Sequence, residues 1–384
     1  MTRDGIELAA YYFPDYHCDD RNAVIHGKGW SEWELVRAAR PRFPGHRQPK
    51  KPLWGCEDEA DPAVMARKID AAADHGIGIF LFDWYCYEDG TFLERALKEG
   101  FRRAPNRKRL RYALMWANHP WRNMHPRGLA EPLRTLWPGD VTPEGFERIT
   151  DYAIAEHLTA PEYWKIDGKP YFSIYDLARL CENFGGVAAL RRGLDGFRRR
   201  AVAAGLPGLH LNLTSRGEAV LPGEKAANSP ELIHELGFDS VTSYIWIHHM
   251  PLPDFPQTDY RLLRRQYLAY WQEARKLYQV PFHPNIMTAW DASPRSVQSD
   301  IYQNGIYPYG PVVENTPEVF EETLRIFRER ILLLPPRERI ITINAWNEWT
   351  EGAYLEPDEE QGFAYLAAVK RVFGFEKEKK HASA

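Results

Sequence analysis

Eight short apolar runs recur along the chain, and most are followed by a segment of helical periodicity. They are ELAAYYF (7–13), GIGIFLFDWY (76–85), LRYALMWANH (110–119), KPYFSIYD (169–176), GLHLNLT (208–214), DSVTSYIW (239–246), PFHPNIMTAWD (281–291) and RIITINAWNEW (339–349). Between them lie DPAVMARKIDAAADHG, GVAALRRGLDGFRRRAVAAG, TDYRLLRRQYLAYWQEARKLY and TPEVFEETLRIFRERILLL, whose apolar residues return at helical spacing. A strand buried on both faces reads as a near-continuous apolar run, and alternation with helices makes the sheet parallel. Eight such units predict an α/β fold, a single (β/α)8 TIM barrel over 1–375, with long βα loops forming the active-site face. A charged tail, EKEKKHASA (376–384), follows. With 384 residues, 44% of them hydrophobic, the chain can bury such a core. An open doubly wound sheet is the structural rival, and the missing glycine-rich phosphate loop argues against it.

Several function classes are disfavoured at once. The net charge of -4 leaves no basic surplus for nucleic acid or an anionic membrane. Four widely spaced cysteines, without a CxxC pair, predict free thiols rather than a zinc ribbon or a disulfide framework. The opening MTRDGIELAAYYF has no long apolar core, and no window approaches eighteen apolar residues, so the expectation is a cytoplasmic protein without a membrane span. The GxSxG, GxxxxGK[ST] and HExxH patterns are absent. His248 and His249 are adjacent and point opposite ways in an extended segment, so neither metal nor cofactor is expected.

Barrel chemistry sits at the C-terminal strand ends and the loops after them. There the chain offers Tyr11, Tyr12 and His17; Asp83, Trp84 and Tyr85; Trp116, Asn118 and His119; Tyr175 and Asp176; and Asn212. The later strands add Tyr244, Trp246, His248 and His249; Trp290, Asp291 and Arg295; and Asn347, Glu348, Trp349 and Glu351. Aromatic planes among Asn, Asp, Glu and His suit a sugar, which packs C–H faces on rings and needs partners for its hydroxyl rim. Glycoside cleavage takes two carboxyl groups, one protonated and one ionised. Glu348 and Glu351 are the leading pair, because Trp346 and Trp349 offer apolar surroundings that raise one carboxyl's pKa. Asp83, Asp176 and Asp291 stay open as further acids, while Glu356 and Asp358 read as a solvated strand end.

These motifs resemble those of the WbsX-like proteins, which are similar to glycoside hydrolase family 99. The resemblance runs through YYFPDYH, GKGWSEWELVRAARPRFPGHRQPKKP, GIGIFLFDWY, LMWANHPW, TAWDASPR and INAWNEWTEGAYLEPD. It implies an enzyme cleaving an α-mannoside-like bond in an oligo- or polysaccharide with retention, through the Glu-Trp-x-Glu pattern at Glu348–Glu351. Glu348 is then the base on the sugar's own 2-hydroxyl, giving a 1,2-anhydro sugar, and Glu351 the acid/base. By the same resemblance Tyr11 or Tyr12, Trp84, Trp116, Tyr244 and Asn347 line the subsite, and the GWSEW stretch adds Trp30 and Glu32. One departure stands out: WbsX-like chains usually read WANEN after the third strand, and this one reads WANHP, with His119 in place of an acid. The alternatives are a transferase or transglycosylase of surface-polysaccharide synthesis, and a carbohydrate-binding protein without catalysis.

Overall fold

The structure, a computed structural model, describes residues 4–217 and 229–374; the tail expected at 376–384 lies outside them. The barrel strands are β1 (Glu7–Tyr12), β2 (Ile79–Tyr87), β3 (Arg111–Trp116), β4 (Lys169–Ile174), β5 (His210–Ser215), β6 (Ser240–Ser243), β7 in two pieces (Phe282–His283 and Asn285–Met287) and β8 (Ile340–Asn344). Each of the eight expected runs carries one of them. They pair in parallel in chain order, and β8 returns to β1 through Glu7↔Ile340 to Ala10↔Ile343. The barrel expected from the sequence is the barrel observed. Its one discontinuity lies in β7, where Phe282–His283 pairs with β6 and Asn285–Met287 with β8. Pro284 stands between the pieces, and a residue without an N–H cannot donate to a ladder.

The outer helices begin where the sequence offers caps. Asp61, Thr142, Ser229 and Thr316 each accept from a first-turn N–H of a helix that opens with proline: Pro62–Asp74, Pro143–Ala153, Pro230–Leu236 and Pro317–Ile331. The side-chain oxygen satisfies an orphan donor and the ring pre-sets the first φ. Val187–Ala203 and Tyr260–Leu277 complete the four segments read as helices from periodicity.

Strand parity sorts side chains between two environments. On β2, Phe80, Phe82 and Trp84 turn outward and pack on Phe101, Tyr112 and Phe172, while Asp83 and Tyr85 turn to the barrel mouth. Below that mouth the interior is small and polar. Ser173 meets Asn212 and Thr214 at 2.8 and 2.9 Å, and Asn285 meets Thr342 at 3.1 Å. Asn212, expected at a strand end, belongs to this packed layer.

The first βα loop is laced to the seventh. Arg42 donates to Ser296 Oγ and to the Asp300 carbonyl, both at 2.7 Å, while His46 and Gln48 hold Asp291 Oδ2 at 2.8 and 2.6 Å. All four cysteines are unpaired. Among the described residues no helix is long and apolar enough to cross a membrane, and no group of three or more His, Cys, Asp or Glu is placed to hold a metal ion.

Candidate active site

The strand predicted over 339–349 ends early, at Asn344. The chain then makes a tight hairpin in which Asn347 and Glu348 pair with Tyr354 and Ala353, around a turn at Trp349–Glu351. Asn347 staples it to the end of β1, accepting from Phe13 N at 2.9 Å and donating to Phe13 O and Glu59 Oε1 at 2.7 Å. Gly352 closes the turn with φ of 65°, and a Cβ there would stand 2.8 Å from the Asp291 Cβ. Gly352→Ala is therefore expected to cost roughly 1–3 kcal/mol, read as a lower urea midpoint, and to displace Glu351.

Glu348 and Glu351 both face a cleft in the barrel mouth, about 650 Å³ counting the solvent open to it. Of the residues expected to contact substrate, Tyr85, His119, Tyr175, Tyr244, Trp290 and Arg295 line it with them. Arg295 lies between the two carboxyls. Its Nη1 donates to Glu351 Oε1 at 2.5 Å and its Nη2 stands 3.7 Å from Glu348 Oε1, while its Nε donates to Glu32 Oε1 at 2.6 Å. Tyr307 donates to Glu351 Oε1 at 2.8 Å, and Thr350 Oγ1 holds Glu32 at 2.5 Å. Glu348 Oε2 lies 2.7 Å from the Tyr244 hydroxyl. Burial, and then the charge of Glu351, push the Glu348 carboxyl well above its ordinary range.

Other expected contacts do not reach the cleft, and parity is the usual reason. Trp84 and Trp116 face the helix layer, donating to Glu94 Oε1 and to the Cys86 carbonyl. Tyr12 packs outside on Phe80 and Phe82. Tyr11 lies inside the barrel under Tyr244, with ring centroids 4.6 Å apart. Trp246 stacks on Tyr267 of the outer layer, and Asn118 bonds the backbone of Asp176. Trp30 stacks on His26 in the first loop, and Glu32 works from behind Arg295. Asp291 is spent on His46, Gln48 and the Ser293 N–H; burial pushes its carboxyl up, but these bonds hold it below the ordinary range. Asp176 caps Leu177–Asn183 and pairs with Arg216.

The tryptophans of the hairpin also differ from expectation. Trp346 and Trp349 donate to opposite oxygens of Glu356, at 2.9 and 2.7 Å, and Lys68 pairs with Glu356 at 2.7 Å. They hold the hairpin from behind rather than surrounding Glu348 and Glu351. Glu356 and Asp358, read as solvated, are 5% and 4% exposed. Sequence reasoning did not assign Phe13, Trp121, Met124, His125 or Tyr307 to the site, although all line the cleft. Trp121 ends the LMWANHPW motif, and the proline- and aromatic-rich YPYGP stretch around Tyr307 was an unused signal. His119 packs edge-on against Tyr85 and at a tilt on Tyr175; burial lowers its pKa to about 4, so a neutral imidazole faces the cleft at neutral pH.

A family model described as glycosyltransferase WbsX matches residues 8–369. The chain belongs to that family. Its cleft is lined by aromatic rings and carboxyls, the mixture that suits a sugar's C–H faces and hydroxyl rim. Curated relatives named uncharacterized protein WxcX, from two strains of Xanthomonas campestris pv. campestris, are 26% identical over 389 residues. The match takes in 95% of this WbsX-family chain and 49% of theirs, so the chain spans about half their length. Among solved structures, the GH99 endo-alpha-mannosidase from Bacteroides thetaiotaomicron superposes with a TM-score of 0.54 at 14% identity, covering 97% of both chains. A glycoside hydrolase-like protein superposes with a TM-score of 0.58 at 17% identity, over 97% of this chain and 94% of that one. These likenesses concern the fold.

Proposed function

We propose that this chain is a retaining glycoside hydrolase acting on an α-mannoside-like or related bond in an oligo- or polysaccharide, with Glu348 and Glu351 as the reacting pair. The observation that carries the reading is two carboxyls facing one cleft, in contact with one guanidinium but held by different hydroxyls, Tyr244 and Tyr307. Different environments give two acids different tasks. Glu348 takes the proton of the sugar's 2-hydroxyl, and that oxygen attacks C1. The bond to the leaving oxygen breaks as Glu351 protonates it. Both protein hydrogen bonds on Glu351 fall on Oε1, which leaves Oε2 for this transfer. Water then opens the 1,2-anhydro ring at C1, giving its proton to Glu351 while Glu348 returns its own to O2, with net retention.

A product-resolved screen of α-mannosides, α-rhamnosides and bacterial polysaccharides, without added nucleotide sugar, tests the reading. Cleavage by the wild type and its loss in Glu351→Gln is the expected result. The family's description favours a second reading, transfer from an activated sugar. Turnover only after a nucleotide sugar is added would select it. A 2-deoxy substrate should be inert, and its normal cleavage would remove the neighbouring-hydroxyl step. Because His119 presents neutral nitrogens where related chains usually carry an acid, His119→Glu is expected to shift the preference among the panel's sugars. The change in relative kcat/KM should be about tenfold, the worth of one good hydrogen bond.

A further inference from the structure

The cleft holds a third carboxyl that this chemistry does not use. The Tyr244 hydroxyl oxygen lies 2.8 Å from Asp83 Oδ2 and 2.7 Å from Glu348 Oε2. A phenol has one hydrogen and can donate at only one of these contacts. At the other, an ionised carboxylate would set its lone pair against that of the phenol oxygen in a buried site, so there the carboxyl itself must be the donor. Asp83, Tyr244 and Glu348 are 2%, 7% and 4% exposed, which leaves little solvent to relieve the conflict.

We propose that Asp83 and Glu348 share a single proton across the Tyr244 hydroxyl, with Asp83 as its resting holder, so that Glu348 stands ionised and ready to act as base. Asp83 is thereby a positioning residue, acting through Tyr244. The surroundings favour that distribution. The groups gathered on Asp83 are Tyr244 after β6, Glu348 and Glu351 of the hairpin, Arg295 of the seventh loop, Tyr11 of β1 and Tyr85 of its own strand. Arg295 is the cation in this group, and its Nη2 is 3.7 Å from Glu348, so the charge is better placed there. Asp83 makes no ion pair among the described residues, and its buried Oδ1 lacks a hydrogen-bond partner. Burial also pushes both carboxyls well above their ordinary range. In the resting arrangement Asp83 donates to the Tyr244 oxygen, which donates to Glu348. When Glu348 gains a proton from substrate on Oε1, its Oε2 still accepts from the Tyr244 hydroxyl, so the contact serves either charge state.

The role for Glu348 rests on the proposed hydrolase reading, but the shared proton does not, and infrared difference spectra test it without substrate. At neutral pH the wild type should show the carbonyl stretch of a protonated carboxyl. Asp83→Asn should remove one carboxyl's worth of it, since the amide supplies the missing hydrogen to Tyr244. Glu348→Gln should remove the same amount for the same reason, and decides the matter if the first variant does not fold. Retention of the band in either folded variant would overturn the sharing. Heavy-carbon labelling of aspartate side chains should move the band that these substitutions remove; movement with labelled glutamate instead would overturn Asp83 as holder. On a substrate found by the sugar screen, Asp83→Leu should lower kcat/KM about tenfold or more, on the scale of a lost hydrogen bond to a charged group. Unchanged turnover would overturn the positioning role. Silence across the sugar panel bears on the hydrolase reading alone, because the spectra need no turnover.

Discussion

Glu351→Gln is expected to slow cleavage of a glycoside with a poor leaving group by about 10²-fold or more, the usual scale of acid catalysis. On an activated aryl glycoside the loss should be much smaller, because that leaving group departs without a proton. Glu348→Gln should damage both substrates, since formation of the anhydro ring needs its base whatever leaves. The measurement is kcat/KM for each variant on each substrate. Equal losses for Glu351→Gln on the two leaving groups would count against the acid role. The hairpin makes the comparison a fair one. Asn347, Trp346 and Trp349 fix the turn from behind through Phe13 and Glu356, so an amide at either position inherits the same backbone.

Arg295→Met should be strongly destabilising. The guanidinium is 5% exposed and contacts Glu32, Glu351 and Glu348. Removing it strands carboxylates in a low-dielectric site, and breaking a buried pair by deleting one partner costs about 3–5 kcal/mol. Urea unfolding of the variant measures this cost. Adding Glu32→Gln to Arg295→Met should recover part of the loss, because the second change removes a charge that the first left unpaired. Additive losses in the double variant would show that the contact of the Arg295 guanidinium with the Phe13 ring, 5.1 Å to its centroid, is the larger contribution.

The fold was legible because each barrel strand, buried on both faces, wrote a near-continuous apolar run. Periodicity located the helices, and the Asp-Pro, Ser-Pro and Thr-Pro pairs mark where four of them start. The site was legible in outline but not side chain by side chain. Taking whole triplets at strand ends mixed the two faces: Asp83 and Tyr85 reach the cleft, whereas Trp84 between them faces the helices. Applying the two-residue period at β2 and β3 would have set Trp84 and Trp116 aside. It could not have found Tyr307 or His125, which arrive on loops whose path no local pattern specifies. Nor could it show that Trp346 and Trp349 turn to Glu356, because the predicted strand ran straight through a hairpin.

Arg295 joins Glu32 of the first loop to Glu351 of the last, through bonds that span 263 and 56 residues of chain. Such a junction constrains inheritance. A lineage that loses the glutamate of GWSEW leaves a buried guanidinium short of an anion, and one that loses the arginine leaves anions short of a cation. Single steps away from the trio are penalised while concerted ones are not, so across many relatives positions 32, 295 and 351 should be kept together or exchanged together. The loop at the start of the chain and the hairpin at its end then evolve as one unit, though nearly the whole barrel is written between them.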